Sequence, residues 1–157
     1  MSSADLIASS FKAAWQAGGG AALVLPNSIY YGRAKQPDKQ AGFPFIELLI
    51  AQTSNELRSQ QSYDSDTALV SYTLTVEVWT CQGMSTSSGD QLTDQGNIQR
   101  AVDAVMTKII PGQAWYNVTT FIHAIKDQQT AMAPDSELYQ GQDVTSSIQS
   151  YLILLGE

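Results

Sequence analysis

A run of strict two-residue alternation constrains this chain more than any other feature. Val70, Tyr72, Leu74, Val76 and Val78 fall on one side, and Ser71, Thr73, Thr75 and Glu77 on the other. A helix cannot carry a period of two, whereas successive side chains of a strand point to opposite faces. At about 3.3 Å per residue the run spans roughly 30 Å, so the fold must be built around one long strand. Residues 43–53 predict a second strand, entered beside Pro44, with Phe43, Phe45 and Leu49 opposing Ile46, Leu48 and Ile50. Apolar residues on both faces predict a central strand covered on both sides. Between the two, residues 55–66 (NELRSQQSYDSD) are almost wholly polar and predict a hairpin tip projecting beyond the core.

Helical spacing appears on either side of this hairpin. Ile7, Phe11, Ala14 and Trp15 recur at three and four, with Ser3 as the expected cap, Asp5 in the first turn and Gly18-Gly19-Gly20 as the stop. Ile98, Ala101, Val102, Val105, Met106 and Ile109 form a second stripe within residues 90–110. Asp90 and Asp94 lie near its start, Lys108 near its end, and Pro111-Gly112 ends it. Ile29, Tyr30 and Tyr31 read as a short extended piece and residues 32–42 as an exposed loop. Residues 115–125 and 143–155 predict two further strands joined by a polar connection. In the last strand Val144, Ile148, Leu152 and Leu154 share a parity, opposite Tyr151 and Ile153. Two amphipathic helices can cover one face of such a sheet. The expected fold is α+β, a single domain over residues 1–157 with an antiparallel sheet of about four strands, including the long hairpin.

The residues that carry most chemistry are scarce. His123 is the single histidine, and its neighbours Ile122, Ala124 and Ile125 put it on a strand beside the core, away from any triad. Ser85 lacks the second glycine of a nucleophile elbow. Residues 18–20 follow a helix instead of a strand and have no phosphate-loop lysine, so they end a helix and do not cradle phosphate. Asp64 with Asp66, and Asp90 with Asp94, fall short of the converging oxygens a calcium loop requires. Cys81 is the only cysteine, which leaves no intrachain disulfide and no cysteine-based zinc site, and it reads as a small core hydrophobe closing a strand. No catalytic, cofactor or metal site is therefore expected. Fifteen acidic residues against eight basic ones give a net charge of −7, which argues against nonspecific nucleic-acid binding. The opening MSSADLIASSFKAAWQ has neither the basic region nor the continuous apolar region of a secretion signal, and no apolar run reaches a membrane span. The chain is expected to be made in a cytoplasm.

Two features remain. Arg33, Lys35 and Lys39 concentrate three of the eight basic residues in one loop of an acidic chain. Charged residues make up 15%, against a usual figure of about 25%. A polar, weakly charged surface suits a protein that sits against other subunits. The basic loop, with Tyr31, is a candidate contact surface, and the hairpin tip with Glu56, Arg58, Tyr63, Asp64 and Asp66 is its candidate complement.

The order of these pieces resembles a known family. A short amphipathic helix precedes IYYGRAKQPDKQAGFPFIELLI, then the alternating SYTLTVEVWTCQG, the helix DQGNIQRAVDAVMTKI and the closing SSIQSYLILLGE. The segment from Tyr30 to Ile46 carries the resemblance: a tyrosine-ended piece, a glycine-containing basic loop, and an aromatic-proline entry into a long strand. The arrangement is similar to the tail-terminator and tail-completion proteins of long-tailed bacteriophages, part of the head–tail joining set. The resemblance implies a non-catalytic virion protein that forms a homo-oligomeric ring, commonly a hexamer. Such a ring caps the tail tube protein and meets the head connector, with DNA able to pass through it. It implies a location in the virion tail or neck, and no cofactor. A neck stopper or adaptor of the same set is the neighbouring reading. A small non-catalytic binding or inhibitor domain, and an enzyme with scattered acids, are the others.

Overall fold

The computed structural model describes residues 2–33, 42–53, 69–84, 89–119, 122–126, 131–139 and 142–156. Helix α1 (Ser3–Ala17) opens with a capping box. The Ser2 hydroxyl accepts from the Asp5 main-chain N–H at 3.2 Å, and the Asp5 carboxylate accepts from the Ser2 N–H at 3.0 Å. The cap is thus Ser2, one residue before the expected Ser3, because only Ser2 stands three positions ahead of an acidic partner. The Ser2 hydroxyl and N–H hold the Asp5 carboxyl below its ordinary pKa. Ile7, Phe11, Ala14 and Trp15 are all buried, as their spacing predicts. Trp15 donates its indole N–H to the Val24 carbonyl at 2.9 Å. Gly20 lies under that indole, where a Cβ would collide with the ring.

Helix α2 (Gln91–Thr107) starts at Asp90, whose carboxylate accepts from the Leu92 N–H at 3.1 Å and the Thr93 hydroxyl at 2.8 Å. Asp90 is therefore a helix cap, and Ile98, Val102, Val105 and Met106 form the buried stripe. Among the described residues six strands make one sheet: β1 (Ile29–Tyr31), β2 (Phe45–Gln52), β3 (Leu69–Cys81), β4 (Ile122–Lys126), β5 (Ala131–Tyr139) and β6 (Gln142–Gly156). They are ordered β1-β2-β3-β6-β4, with β5 also paired to β6. The long strands are antiparallel, and β1 joins β2 in parallel, making the sheet mixed. The α+β class stands, with β2 and β3 forming the expected hairpin. Its tip lies outside the described residues. No helix among the described residues is long and apolar enough to cross a membrane.

Two further sequence expectations change. Residues 115–118 are a tight turn: Trp115 and Val118 exchange main-chain hydrogen bonds at 2.8 and 2.9 Å, and Tyr116 sits at φ 51°. Asn117 ties this turn to α1 through Ser10 at 2.9 Å and Ser9 at 3.0 Å, so tertiary contacts override the local β propensity. The connection after residue 126 contains a strand, β5, which its Pro134 and acidic residues conceal. Proline is tolerated because β5 pairs with β6 alone among the described strands.

Both helices pack on one sheet face. The core there joins Ile7, Phe11 and Trp15 of α1 with Val102 and Val105 of α2, and with Ile46, Leu48, Leu74, Val76, Ile153 and Leu155 of the sheet. The more apolar parity of β6, holding Val144, Ile148, Leu152 and Leu154, faces the other way. Its helix-facing parity is Thr145, Ser147, Gln149, Tyr151, Ile153 and Leu155.

Candidate functional site

Polar residues line the helix–sheet joint at a spacing of four: Gln91, Gln95, Gln99 and Asp103 along α2. Gln95, fully buried, donates to the Val78 carbonyl at 2.9 Å and the Ser147 hydroxyl at 2.7 Å, and accepts from Thr80. Gln91 donates to the Thr80 carbonyl at 3.3 Å and to the Thr145 hydroxyl at 3.1 Å. At the far end Asp103 accepts from the Tyr151 hydroxyl, from Gln149 at 3.1 Å and from Lys126 at 3.0 Å. Gln99 Nε2 and Gln149 Oε1 have no partner among the described residues, but the other buried polar groups of the seam are matched, and these bonds tie α2 to β3 and β6. Sequence reading followed the apolar stripe and missed the seam, although its spacing was visible.

Partial burial raises the Asp103 pKa, but the hydrogen bonds from Tyr151, Lys126 and Gln149 outweigh it and hold it below the ordinary value. Burial first, and then the Asp103 charge, push the Tyr151 phenol above its ordinary range, so it stays a donor. A carboxyl with a lowered folded pKa contributes stability above its unfolded pKa and loses it as pH falls through the folded value. Tyr151→Phe should therefore cost about 1 kcal/mol near neutral pH, at the low end for a bond to a partly exposed charge. The cost should shrink as pH falls below about 4, the unfolded carboxyl value, and through the lowered folded value of Asp103. Thermal melts of both proteins across that range test this, and a cost independent of pH would remove the charged bond from the account.

The opposite face carries the second cluster. Phe43, Phe45, Cys81, Met84 and Val144 pack at one end with Trp79. Phe45 stacks on Trp79 with centroids 5.9 Å apart and meets Tyr30 edge-on at 6.1 Å. Cys81 is buried at the end of β3, as expected of a core thiol, and burial raises its pKa. Beside this cluster Glu47 and Glu77 stand directly opposite each other on β2 and β3, both buried. Like charges so placed repel. Arg33 bridges them: its guanidinium meets Glu47 Oε1 at 3.3 Å and also Glu77 Oε2, while Trp79 donates to Glu47 Oε1 at 2.8 Å. The bond to Glu77 does most to raise the Arg33 pKa above its ordinary value. Gly32, at φ 98°, positions Arg33 by turning the chain off β2 after a 2.8 Å bond to the Leu48 carbonyl.

Past this charged row no helix covers the face among the described residues. Leu49, Thr73, Thr75, Leu152, Leu154 and His123 are half-buried, and Ala51, Ile125 and Ile148 are exposed. A groove of about 310 Å³ runs beside Tyr31, Leu49, Ala51, Thr73 and Thr75. Of the candidate contact residues, Tyr31 is exposed at the end of β1 beside this groove, in register with Leu48 of the helix-covered face, but Arg33 is engaged within its own chain. Lys35, Lys39, Glu56, Arg58, Tyr63, Asp64 and Asp66 lie outside the described residues, as does Ser85. Among the described residues no three His, Cys, Asp or Glu side chains gather as metal ligands. No protein-family model matches the sequence, and no curated protein sequence matches it.

Proposed function

We propose that the chain is a structural subunit of a phage tail, of the tail-terminator type. In this reading it forms a homo-oligomeric ring that caps the tail tube and meets the head connector. The observation that carries it is the sheet face opposite the helices, where the apolar parity of β6 and the exposed Ile125 and Ile148 have no helix over them among the described residues. A chain that places its more apolar strand parity away from its own helices has a surface suited to another molecule. The low charge fraction of 15% supports the same reading, because it limits repulsion between copies. The resemblance of the segment from Tyr30 to Ile46 to tail terminators supports the specific role. The chemistry needed is packing and ion pairing, with no catalytic step.

Light scattering and negative-stain electron microscopy of the purified protein, alone and with isolated tail tubes, test this. Closed rings, or density at tube ends, are expected. A protein that stays monomeric with tubes present and leaves their ends bare would overturn the reading. Within it, Lys35→Glu with Lys39→Glu is the appropriate probe of the basic loop, since Arg33 already serves the fold.

A further inference from the structure

We infer that copies of this chain join edge to edge, with β4 of one copy adding to the uncovered stretch of β2 in the next. This rests on the ring reading above and names its joint. Main-chain groups along a strand alternate in direction with a period of two. The Gly32 N–H bonds the Leu48 carbonyl from the β1 side, so the main chain of Ile50, two residues on, also turns away from β3. However, β1 ends at Tyr31, opposite Leu48, and no strand among the described residues continues beside Ile50. At the other edge the Gly112 N–H reaches the Ile122 carbonyl at 3.2 Å, so Ile122, and by the same period Ala124 and Lys126, turn their main chains away from β6. Among the described residues each copy therefore holds a socket strand on one edge and an inserting strand on the other, the arrangement of a heterologous contact, which forms a ring when its rotation closes.

The register places the two halves at one height. Ala51 pairs with Thr73, Thr73 with Leu152, and Leu152 with Ile125, so the socket and the inserting strand lie at opposite ends of the same rows. Three antiparallel steps separate β2 from β4, so the two run in opposite directions. Copies held in the same orientation would thus bring β4 against β2 as an antiparallel pair. Side chains agree with the main chain. Ile125 is 49% exposed on the face away from the helices, and on that same face the groove of about 310 Å³ opens at the β2 edge. Ile125 of one copy would enter the groove of the next, between Leu49, Ala51 and Thr73. The joint is confined to β4, because β1 closes the edge at Leu48 and Lys126 lies in the row of Ile50. The register against β6 slips by two residues between β4 and β5. β5 begins at Ala131, in the row of Glu47 and so outside the rows of the joint.

Paired cysteines test the joint in the full chain. Ala51→Cys with Ile125→Cys should give a ladder of covalent multimers under mild oxidation on non-reducing denaturing gels. A mixture of the two single variants should stop at covalent dimers. The native Cys81 is buried and should give no such background. Ile125→Lys should shift the assembled mass to monomer with its thermal melt unchanged. If the parent protein assembles but no ladder forms and Ile125→Lys assembles normally, the joint is wrong and the ring reading stands. If the parent protein remains monomeric with tail tubes present, both fall.

Discussion

Replacing Val102 with Asp should destabilise the domain by on the order of 3 kcal/mol or more. Val102 is fully buried in the core, where α2 meets both the sheet and α1. No Lys or Arg is buried among the described residues, so a carboxylate there would keep its proton in the folded state, with a raised pKa. The penalty should accordingly grow as pH rises above about 4, the unfolded value. A domain of this size has roughly 5–15 kcal/mol in total, so the variant should melt far lower or fail to fold. Ala104→Asp on the exposed side of the same helix is the control, with an expected cost within about 1 kcal/mol. Calorimetry or circular dichroism of the two variants decides the matter. A normal melt for Val102→Asp would mean that the stripe does not face the sheet.

Arg33→Glu should have the next largest effect. It would set a third carboxylate beside the buried Glu47 and Glu77. Removing one partner of a buried ion pair costs about 3–5 kcal/mol. The Arg33 side chain is 63% exposed, so solvent screening reduces the expected loss to roughly 2–3 kcal/mol. Glu77→Gln in the same chain should recover part of it, which a double-mutant cycle of denaturant melts would measure. If Arg33→Glu melts normally with no coupling to Glu77, the bridge makes no net contribution to stability. This variant reports on the fold first, so any loss of assembly it causes could not be assigned to a ring contact.

The sequence revealed those elements whose side-chain pattern agrees with their environment. The alternation over Val70 to Val78 and the stripes of both helices read correctly because each buries one apolar face. In β6 the pattern and the environment disagree. The residues turned toward α2 include Thr145, Ser147 and Gln149, held by partners on a distant helix, and no local pattern announces such matching. β5 was hidden because Pro134 and its acidic residues give it no strand pattern of its own. The candidate site was half legible. Tyr31 and Arg33 could be singled out from composition, but the Glu47 and Glu77 that engage Arg33 come from two other strands. Glu47 sits in an apolar run and Glu77 in an alternating one, and only their register brings them together.

The place of β6 in the sheet has a consequence for synthesis. Every residue from Val144 to Gly156 pairs with β3 on one side, and β4 and β5 pair with β6 on the other. Until residues 142–156 leave the ribosome, the long edge of β3 has no partner, and neither β4 nor β5 has a strand to join. Such non-local pairing slows folding and leaves strand edges exposed while it is pending. The hairpin of β2 and β3 can form early, but the sheet that supports α2 cannot. The domain should therefore close late and in one step, and a nascent chain shorter than this would present the long edge of β3 to its neighbours on a polysome.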